Sequence, residues 1–549
     1  MKSSQIRPAV ALLLGVCLSA AGSVSSAEKP INLLFIMTDQ QRWDAMGCAG
    51  NPVLQTPNLD RLAAEGARLS KFYSSCPVCT PARTVILTGH ALESNHVWSN
   101  ANVTTAELPA ELRSFDQVLL RNGYKGEYYG KWHVPYQLAL DYTRPVRWLN
   151  GKARPPGSKA DLSDADAYRE YVRKNVPSRD PQPGQLVQKN GVWPYTPIPL
   201  DENYGKPQPT RASQAEAYGR LDIPPEHSSA AYTAKEGLEA LERLKDGPFT
   251  LTISLDPPHP PMMVSEPFYR LYPPDKIPVP ASLADPRTNS PYADRTTSAT
   301  DARYRDPTNI RQMTSIYYGM ISEIDHWVGK ILHRLDELGL AQNTLVIFTS
   351  DHGEELGDHG MHGKFVFYEG SVHVPLLLRL PGVIPPRTVV DAPASHLDLF
   401  GTILDYLNQP ARPTEGRSLR PLIEGWESGA GRVAVSEWPA AQVPGFMVTD
   451  GRWKFLFGRT ATSRSLDALY DLQSDPQEMN NLIGRNPDRE RYRAEATRMK
   501  VLLTDWLARV KSPLLATVQE RPVLALANVG PPGESAANAA KKKNPTKKP

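Results

Sequence analysis

The segment Cys79-Thr80-Pro81-Ala82-Arg83 holds the first residues whose types and spacing could do chemistry. Pro81 suits the first turn of a helix, because its missing N–H would have no partner there, and Thr80 is a candidate N-cap. Cys79 would then lie just before a helix N-terminus, where the dipole and unpaired N–H groups favour negative charge. Arg83, one turn later, can point back at residue 79. The segment therefore predicts a nucleophile that is suited to an anion.

These five residues resemble the Cys-x-Pro-x-Arg signature of the sulfatase family, part of the alkaline phosphatase superfamily. In that family the cysteine is oxidised after translation to formylglycine, whose hydrated aldehyde is the nucleophile. The resemblance implies that a formylglycine-generating maturation enzyme converts Cys79. An isolated match to a short pattern leaves open a buried, inert cysteine at a helix start. The signatures downstream therefore decide between a nucleophile and an inert cysteine.

Two apolar runs, 31–37 and 344–349, are typical of buried parallel strands. Asp39-Gln40 follows the first run and Asp351-His352 follows the second. Carboxylates at the carboxyl ends of such strands lie where open α/β sheets bind ligands. Helix capping is the alternative role for Asp39.

The resemblance implies that these pairs, with residue 79, bind one divalent cation. Many sulfatases have Asp-Asp at the first pair, so Gln40 lowers the ligand charge by one. His352 stands where many members have Asn, and it is similar to the variant in iduronate sulfatases and phosphonate monoester hydrolases. Oxygen-rich ligation suits calcium, and the imidazole also admits manganese. The implied ligands are Asp39, Gln40, Cys79, Asp351 and His352.

Three further matches supply basic side chains, in the family's order. Lys131 and His133 lie in Gly-Lys-Trp-His, and His259 lies between prolines that fix its backbone. Lys364 matches the later catalytic lysine of the family. A lone Lys or His in a loop is usually only solvated. By resemblance, Lys131 binds sulfate and the nucleophile, and His133 is the base on hydrated formylglycine. The same resemblance implies that His259 with Lys364 protonates the leaving oxygen and that Arg83 contributes to the positive field around the sulfate.

The elements that position these residues alternate between buried strands and amphipathic helices, such as 230–245 and 313–338. This alternation predicts an α/β fold with a doubly wound, mixed but mostly parallel sheet, which the resemblance makes alkaline phosphatase-like. After about residue 421, short strands and a helix predict a smaller C-terminal α+β subdomain with an antiparallel sheet. We expect a catalytic domain over 28–425 and the subdomain over 426–530.

A long region, 138–227, lacks periodicity but is rich in Pro, Gly and aromatic residues. Connections of this length inside a compact domain are usually functional or disordered. We expect loops over the mouth of the site that set substrate specificity. Trp148, Trp193 and Tyr195 are candidate sugar-stacking platforms, although packing explains such aromatics equally well.

Composition and the terminal segments indicate which partners and which cellular location to expect. Residues 1–27 have the basic start, short apolar run and small-residue cleavage site of a secretory signal. The tail 531–549 is Lys-rich and predicted to be disordered. Without these segments the formal charge of +3 becomes slightly negative, which gives no reason to expect nucleic acid. No run is long enough to span a membrane. We expect an exported, periplasmic or secreted protein.

Cleavage of the signal would leave three cysteines: Cys48, Cys76 and Cys79. If Cys79 is converted, Cys48 and Cys76 form a possible pair in an oxidising compartment, and we expect them to be close in space. A Cys76–Cys79 disulfide is the competing outcome.

The combined interpretation is an exported sulfatase that hydrolyses the sulfate ester of a sulfated polysaccharide or oligosaccharide. An arylsulfatase or a phosphonate/phosphate diester hydrolase on the same scaffold is the first alternative. The second is a non-catalytic, glycan-binding homologue whose cysteine is never converted.

Overall fold

The computed structural model describes residues 29–139, 141–142, 168, 171–172, 174–176, 187–188, 191–192, 195–197, 218–221, 223–293, 302–439, 444–459 and 466–524. The predicted signal segment 1–27 and tail 531–549 lie outside the described residues. So do Trp148, Trp193 and the side chain of Tyr195. The expectations for these segments therefore stay predictions.

A seven-stranded sheet forms the centre of the larger unit. Its spatial order, with strands numbered along the chain, is β7-β2-β6-β5-β1-β4-β3. Strands 5, 1, 4 and 3 run parallel, strand 7 is parallel to strand 2, and strand 6 is antiparallel to both its neighbours. The predicted mixed, mostly parallel sheet is confirmed. The strands are β1 (Asn32–Asp39), β2 (Ala67–Leu69), β3 (Lys125–Gly130), β4 (Phe249–Pro258), β5 (Thr344–Ser350), β6 (Leu376–Arg379) and β7 (Thr388–Val390).

Helices cover both faces of this sheet. Leu34 and Ile36 of β1 pack in one hydrophobic cluster, whereas Leu33 and Phe35 pack in another on the opposite face. Burial on both sides explains why this strand is apolar without alternation. The main helices are α1 (Pro57–Ala64), α2 (Cys79–Thr88), α3 (Phe115–Arg121), α4 (Ser229–Leu244), α5 (Pro307–Glu337) and α6 (Leu399–Tyr406).

The C-terminal part forms a smaller α+β unit, as predicted. Four antiparallel strands pair in chain order, β8 (Ala434–Glu437), β9 (Phe446–Thr449), β10 (Trp453–Phe457) and β11 (Ala468–Asp471). Helices α7 (Arg493–Arg509) and α8 (Leu515–Glu520) follow. Phe455 and Phe457 pack with Met499 and Leu503 of α7 in one cluster.

Shorter elements connect these units. The short helices are Leu92–Asn95, Asn102–Thr105, Glu369–Val372 and Arg420–Ile423. The short strands are Phe72–Tyr73, Val187–Gln188, Gly191–Val192, Tyr195–Pro197, Tyr218–Leu221, Met262–Val264 and Ala394–Ser395. Among the described helices, not one combines the length and apolarity needed to cross a membrane.

The predicted proximity of Cys48 and Cys76 is wrong. Both are free thiols, and so is Cys79, which also removes the competing Cys76–Cys79 disulfide. Cys48 packs against the cluster that contains Leu34, whereas Cys76 is buried in the cluster beneath the C-terminal sheet. The two thiols therefore belong to different hydrophobic cores.

Candidate active site

Four neighbouring parallel strands end at one edge of the sheet and bring the predicted residues together. Asp39 is the last residue of β1, and Asp351 directly follows β5. Lys131 directly follows β3, and His259 directly follows β4. The carboxyl edge of a parallel sheet is the usual place for a ligand in such folds.

Helix α2 carries Cys79 to this edge. The helix begins at Cys79 itself, with the extended residue Val78 as its N-cap. The prediction that Thr80 caps the helix is therefore wrong, because Thr80 lies in the first turn and its backbone N–H donates to the side chain of Asn100. The helix ends at Gly89, whose φ of 67° needs the left-handed region that glycine adopts without cost.

The Cys79 sulfur lies among acidic and basic groups in the interior. Its Sγ is 3.1 Å from Nε2 of His352, 3.0 Å from Nζ of Lys364 and 3.8 Å from Oδ1 of Asp39. Ligand atoms of Asp39, Cys79, Asp351 and His352 all lie within 4.8 Å of one another. All four residues are buried, so this is an internal charged pocket.

Arg83 joins the two carboxylates of the pocket. Its Nη2 donates to Asp39 at 3.1 Å and its Nε donates to Asp351 at 2.7 Å. Its Nη1 donates to the backbone carbonyl of Lys131 and to Oγ of Ser254. The hydrogen bonds of Arg83 therefore hold the carboxylates and the ends of β3 and β4 in position.

Lys131 also contacts two carboxylates. Its Nζ lies 2.7 Å from Asp39 and 3.0 Å from Asp256. Burial opposes the charge on Lys131, but Asp256 and Asp39 outweigh it and raise the pKa of the ammonium. Lys131 therefore remains a cation in the pocket.

Gln40 completes the inner side of the pocket. Its side-chain oxygen accepts a hydrogen bond from Nζ of Lys364 at 2.9 Å, and its amide nitrogen donates to Glu354. Its backbone N–H donates to Asp351 at 3.2 Å. The Lys364 ammonium therefore contacts both the Gln40 oxygen and the Cys79 sulfur, which lies with two carboxylates and an imidazole. Oxygen donors with one nitrogen fit a divalent cation.

The charges of the pocket act strongly on one another. Burial raises the pKa of the Asp39 carboxyl, but Lys131, His259, Lys364 and Arg83 outweigh it and hold that pKa well below its usual range. Burial, followed by the charge of Asp39, raises the pKa of Asp351. The two neighbouring carboxylates thus repel each other, and a bound cation would relieve this repulsion.

Two histidines border the pocket. Burial lowers the pKa of His133, and the side chain shares a hydrogen bond with the Cys79 thiol. His259 is half-buried, and its Nδ1 lies 2.7 Å from the carbonyl oxygen of Pro260. That contact leaves Nε2 of His259 as the nitrogen able to exchange a proton with a ligand.

Two acidic residues of the site, Asp256 and Glu354, had no role in the sequence-based prediction. Asp256 lies near the end of β4, and the same signal that indicated Asp39 and Asp351 would have indicated it. Glu354 contacts Gln40 across more than three hundred residues, and no local pattern marks this pair.

The sequence model of the family described as Sulfatase matches residues 31–409, which is more than half of the chain. The chain belongs to the sulfatase family. A second description, N-sulphoglucosamine sulphohydrolase, C-terminal, matches residues 357–504. The protein is accordingly a sulfuric ester hydrolase of the alkaline phosphatase superfamily.

Named relatives align with most of this sulfatase. A choline-sulfatase of Rhizobium meliloti is 30% identical over 469 residues, which cover 83% of each chain. An N-acetylglucosamine-6-O-sulfatase of Bacteroides thetaiotaomicron is 25% identical, over 88% of this chain and 87% of the relative. The crystal structure of a phosphonate monoester hydrolase of Agrobacterium radiobacter aligns with a TM-score of 0.69 at 24% identity, covering 87% of this chain and 96% of that one. This structure shares the fold.

Proposed function

We propose that this sulfatase is exported and hydrolyses sulfate esters of carbohydrates through a formylglycine made from Cys79, releasing an alcohol and inorganic sulfate. The position of Cys79 carries the proposal: it begins α2, and its ligand atom lies within 4.8 Å of those of Asp39, Asp351 and His352. In the mature enzyme the oxygens of the hydrated aldehyde would stand where the sulfur stands here. They would supply the nucleophile.

Asp39, Gln40, Asp351, His352 and residue 79 would hold one divalent cation, for which calcium fits the oxygen-rich donors best and manganese is the alternative. When bound, the cation supplies positive charge beside the sulfate oxygens. Arg83 is a positioning residue in this proposal, because its hydrogen bonds fix both carboxylates.

Lys131 and Lys364 bind the sulfate group. Nζ of Lys364 is 3.0 Å from Sγ of residue 79, and Lys131 shares Asp39 with it. Both ammonium groups face charge that develops on oxygen as the S–O bond breaks. Fixed cations in a buried pocket stabilise such charge more strongly than water does.

The two histidines move protons. His259 donates a proton from Nε2 to the leaving alcohol oxygen, since its Nδ1 is engaged by Pro260. His133 contacts residue 79 and has a lowered pKa, which favours the neutral base. Once one hydroxyl of residue 79 has displaced the alcohol at sulfur, His133 would remove the proton from the second hydroxyl, so that the C–O bond to sulfate breaks and the aldehyde returns.

A sulfated polysaccharide or oligosaccharide is the proposed substrate. A relative that spans most of the chain is named for N-acetylglucosamine 6-O-sulfate esters, and the signal-like segment 1–27 supports export to the periplasm or the exterior.

The decisive experiment expresses the chain with and without a formylglycine-generating enzyme. Mass spectrometry of the Cys79 peptide should show the aldehyde in the first sample, and only this sample should release sulfate from a panel of defined sulfated oligosaccharides. An unmodified thiol in protein made by its native host would favour the non-catalytic, glycan-binding homologue.

A second candidate function is an arylsulfatase or a phosphonate/phosphate diester hydrolase. His352 in the ligand group is similar to the variant in phosphonate monoester hydrolases as well as in iduronate sulfatases, so it agrees with this candidate too. Relative kcat/KM on nitrophenyl sulfate and on a nitrophenyl phosphonate or phosphate diester separates sulfatase activity from phosphorus-ester hydrolysis. A preference for the phosphorus ester by more than about tenfold, roughly 1.4 kcal/mol in transition-state binding, would replace the carbohydrate proposal.

A further inference from the structure

Among the described residues, a buried arginine outside the catalytic group has no partner for two of its donors. Arg287 retains 9% of its exposure. Its Nε and Nη1 are buried, and no residue in the described part of the chain accepts a hydrogen bond from either. Buried donors of a charged group are costly to leave unpaired. The residue also adopts a left-handed φ of 56°, which a non-glycine residue adopts at a cost.

The neighbouring charges do not neutralise Arg287. After burial, the like charge of Arg305 is the strongest influence that lowers the pKa of Arg287. Asp285 lies close, but its carboxylate accepts the backbone N–H of Arg287 at 2.8 Å and pairs with Nδ1 of His359 at 2.7 Å. Arg305 donates to the backbone carbonyl of Asp285 at 3.2 Å. The Arg305 guanidinium and the Arg287 backbone thus share Asp285, and none of these contacts pairs the side-chain donors of Arg287.

This arginine pair packs on the loop that delivers Lys364. A Cβ atom on Gly360 would come within 2.8 Å of the Arg305 side chain, and the ring of Tyr304 lies 3.7 Å from that of His362. Gly360 is four residues from Lys364, so their Cα atoms are at most about 14 Å apart. The Arg305 side chain thus contacts the loop that carries Lys364, and a substrate whose sulfate lies at Lys364 would reach it through a neighbouring sugar unit.

We propose that Arg287 and Arg305 form an anion subsite that binds a second oxyanion of the substrate, a sulfate or a carboxylate, next to the ester that is cleaved. This inference rests on the proposed function and specifies its substrate as a glycan with at least two acidic groups. Guanidinium groups bind such oxyanions through paired hydrogen bonds.

The test compares substrates that differ in the second anion. Arg287→Gln and Arg305→Gln should lower kcat/KM at least tenfold for a disulfated hexosamine and leave nitrophenyl sulfate within about twofold. Arg287→Lys should recover part of the loss. A monosulfated disaccharide that contains a uronate carries a carboxylate as its second anion, and the same variants should lower kcat/KM for it. Arg311→Gln, which removes a part-buried arginine bonded to the carbonyl of Ile277, is the matched control and should change neither activity.

Binding without turnover separates this inference from the proposed function. Calorimetry on the Cys79→Ala chain should show at least tenfold tighter binding of the disulfated than of the monosulfated hexosamine, and Arg287→Gln should abolish the difference. Equal losses on all substrates, or no difference in binding between sugars with and without a second anion, whether sulfate or carboxylate, would overturn the subsite even if sulfate release is intact. Should the Gln variants fail to fold, Arg287→Lys, which keeps the charge but not the paired hydrogen bonds, is compared with the parent chain in the same way.

Discussion

The ammonium of Lys131 lies 3.0 Å from a carboxylate oxygen of Asp256, at the mouth of the pocket where the Asp256 side chain is 33% exposed. The same ammonium contacts the fully buried Asp39. Asp256 therefore fixes the outer side of a cation that is proposed to bind sulfate, although it has no contact with residue 79 among those described.

Asp256→Ala should lower kcat/KM for sulfate esters by about 10- to 100-fold, because a charge-assisted hydrogen bond that orients Lys131 is lost. Asp256→Asn keeps an oxygen that can accept the hydrogen bond and should recover most of the activity. Steady-state kinetics on nitrophenyl sulfate measures both variants. Full activity in Asp256→Ala would show that Asp39 alone positions Lys131.

Arg83→Met should destabilise the protein by about 3–5 kcal/mol, because it leaves Asp39 and Asp351 buried without their shared cation. Urea denaturation measures the free energy of unfolding. The control is Arg61→Met, in which an arginine with a 39% exposed side chain loses surface partners, and the change should stay below about 1 kcal/mol. Similar small effects of both substitutions would contradict the structural role of Arg83.

Strands and the residues at their ends can be predicted from the sequence, because they depend on local pattern. The apolar run at 31–37 became β1, and the acidic residues after β1 and β5 met at one edge because parallel strands end together. Side-chain pairs between distant segments left no such signal. Gln40 and Glu354 are 314 residues apart, and Cys48 and Cys76 lie in separate cores despite a plausible count of cysteines. Such pairs depend on tertiary packing.

Cys79→Ala should abolish sulfate release, with kcat reduced by at least about 10³-fold, because no nucleophile can then form at residue 79. The fold should persist, since the substitution removes one buried sulfur from the first turn of α2 and leaves the hydrogen bonds of Arg83 in place. Circular dichroism and thermal unfolding check the fold. Sulfate release that survives this substitution would refute the assignment of the nucleophile.

Removal of divalent cations should destabilise the protein and abolish activity, because Asp39 and Asp351 repel each other across the pocket. Saturating calcium at about 100 times its Kd should restore about 2.7 kcal/mol of stability. Thermal unfolding in chelator, calcium and manganese measures the effect and ranks the ions.

Asp351→Asn provides the control for this experiment, because it lowers the charge of the ligand group and should reduce the response to calcium. Asp336→Asn removes a 38% exposed carboxylate near the C-terminal end of α5, where it pairs with Arg61, and should leave the response unchanged. Thermal unfolding that does not respond to chelator in the parent chain would mean that the pocket holds no exchangeable cation.

Glu437 gives a pH dependence that is independent of the active site. Burial raises the pKa of this carboxyl to about 8, and the charge of Glu93 adds to the effect. One oxygen accepts the backbone N–H of Leu92, and the other is buried without a hydrogen-bond partner among the described residues. The protonated carboxyl therefore suits the folded state.

Since the pKa of Glu437 is higher in the folded than in the unfolded chain, the folded state binds more protons between about pH 4.5 and pH 8. The contribution of Glu437 to stability is fully present below that window and is lost as the pH rises through it. Glu437→Gln keeps the acceptor for Leu92 and cannot ionise, so it should gain stability relative to the parent by about 2 kcal/mol or more between pH 5 and pH 8. Glu239→Gln, at a side chain that is 69% exposed, should show no such trend. Urea denaturation at both pH values measures the free energy of unfolding. If Glu437→Gln and the parent show parallel pH profiles, Glu437 is ionised in the folded protein and this prediction is wrong.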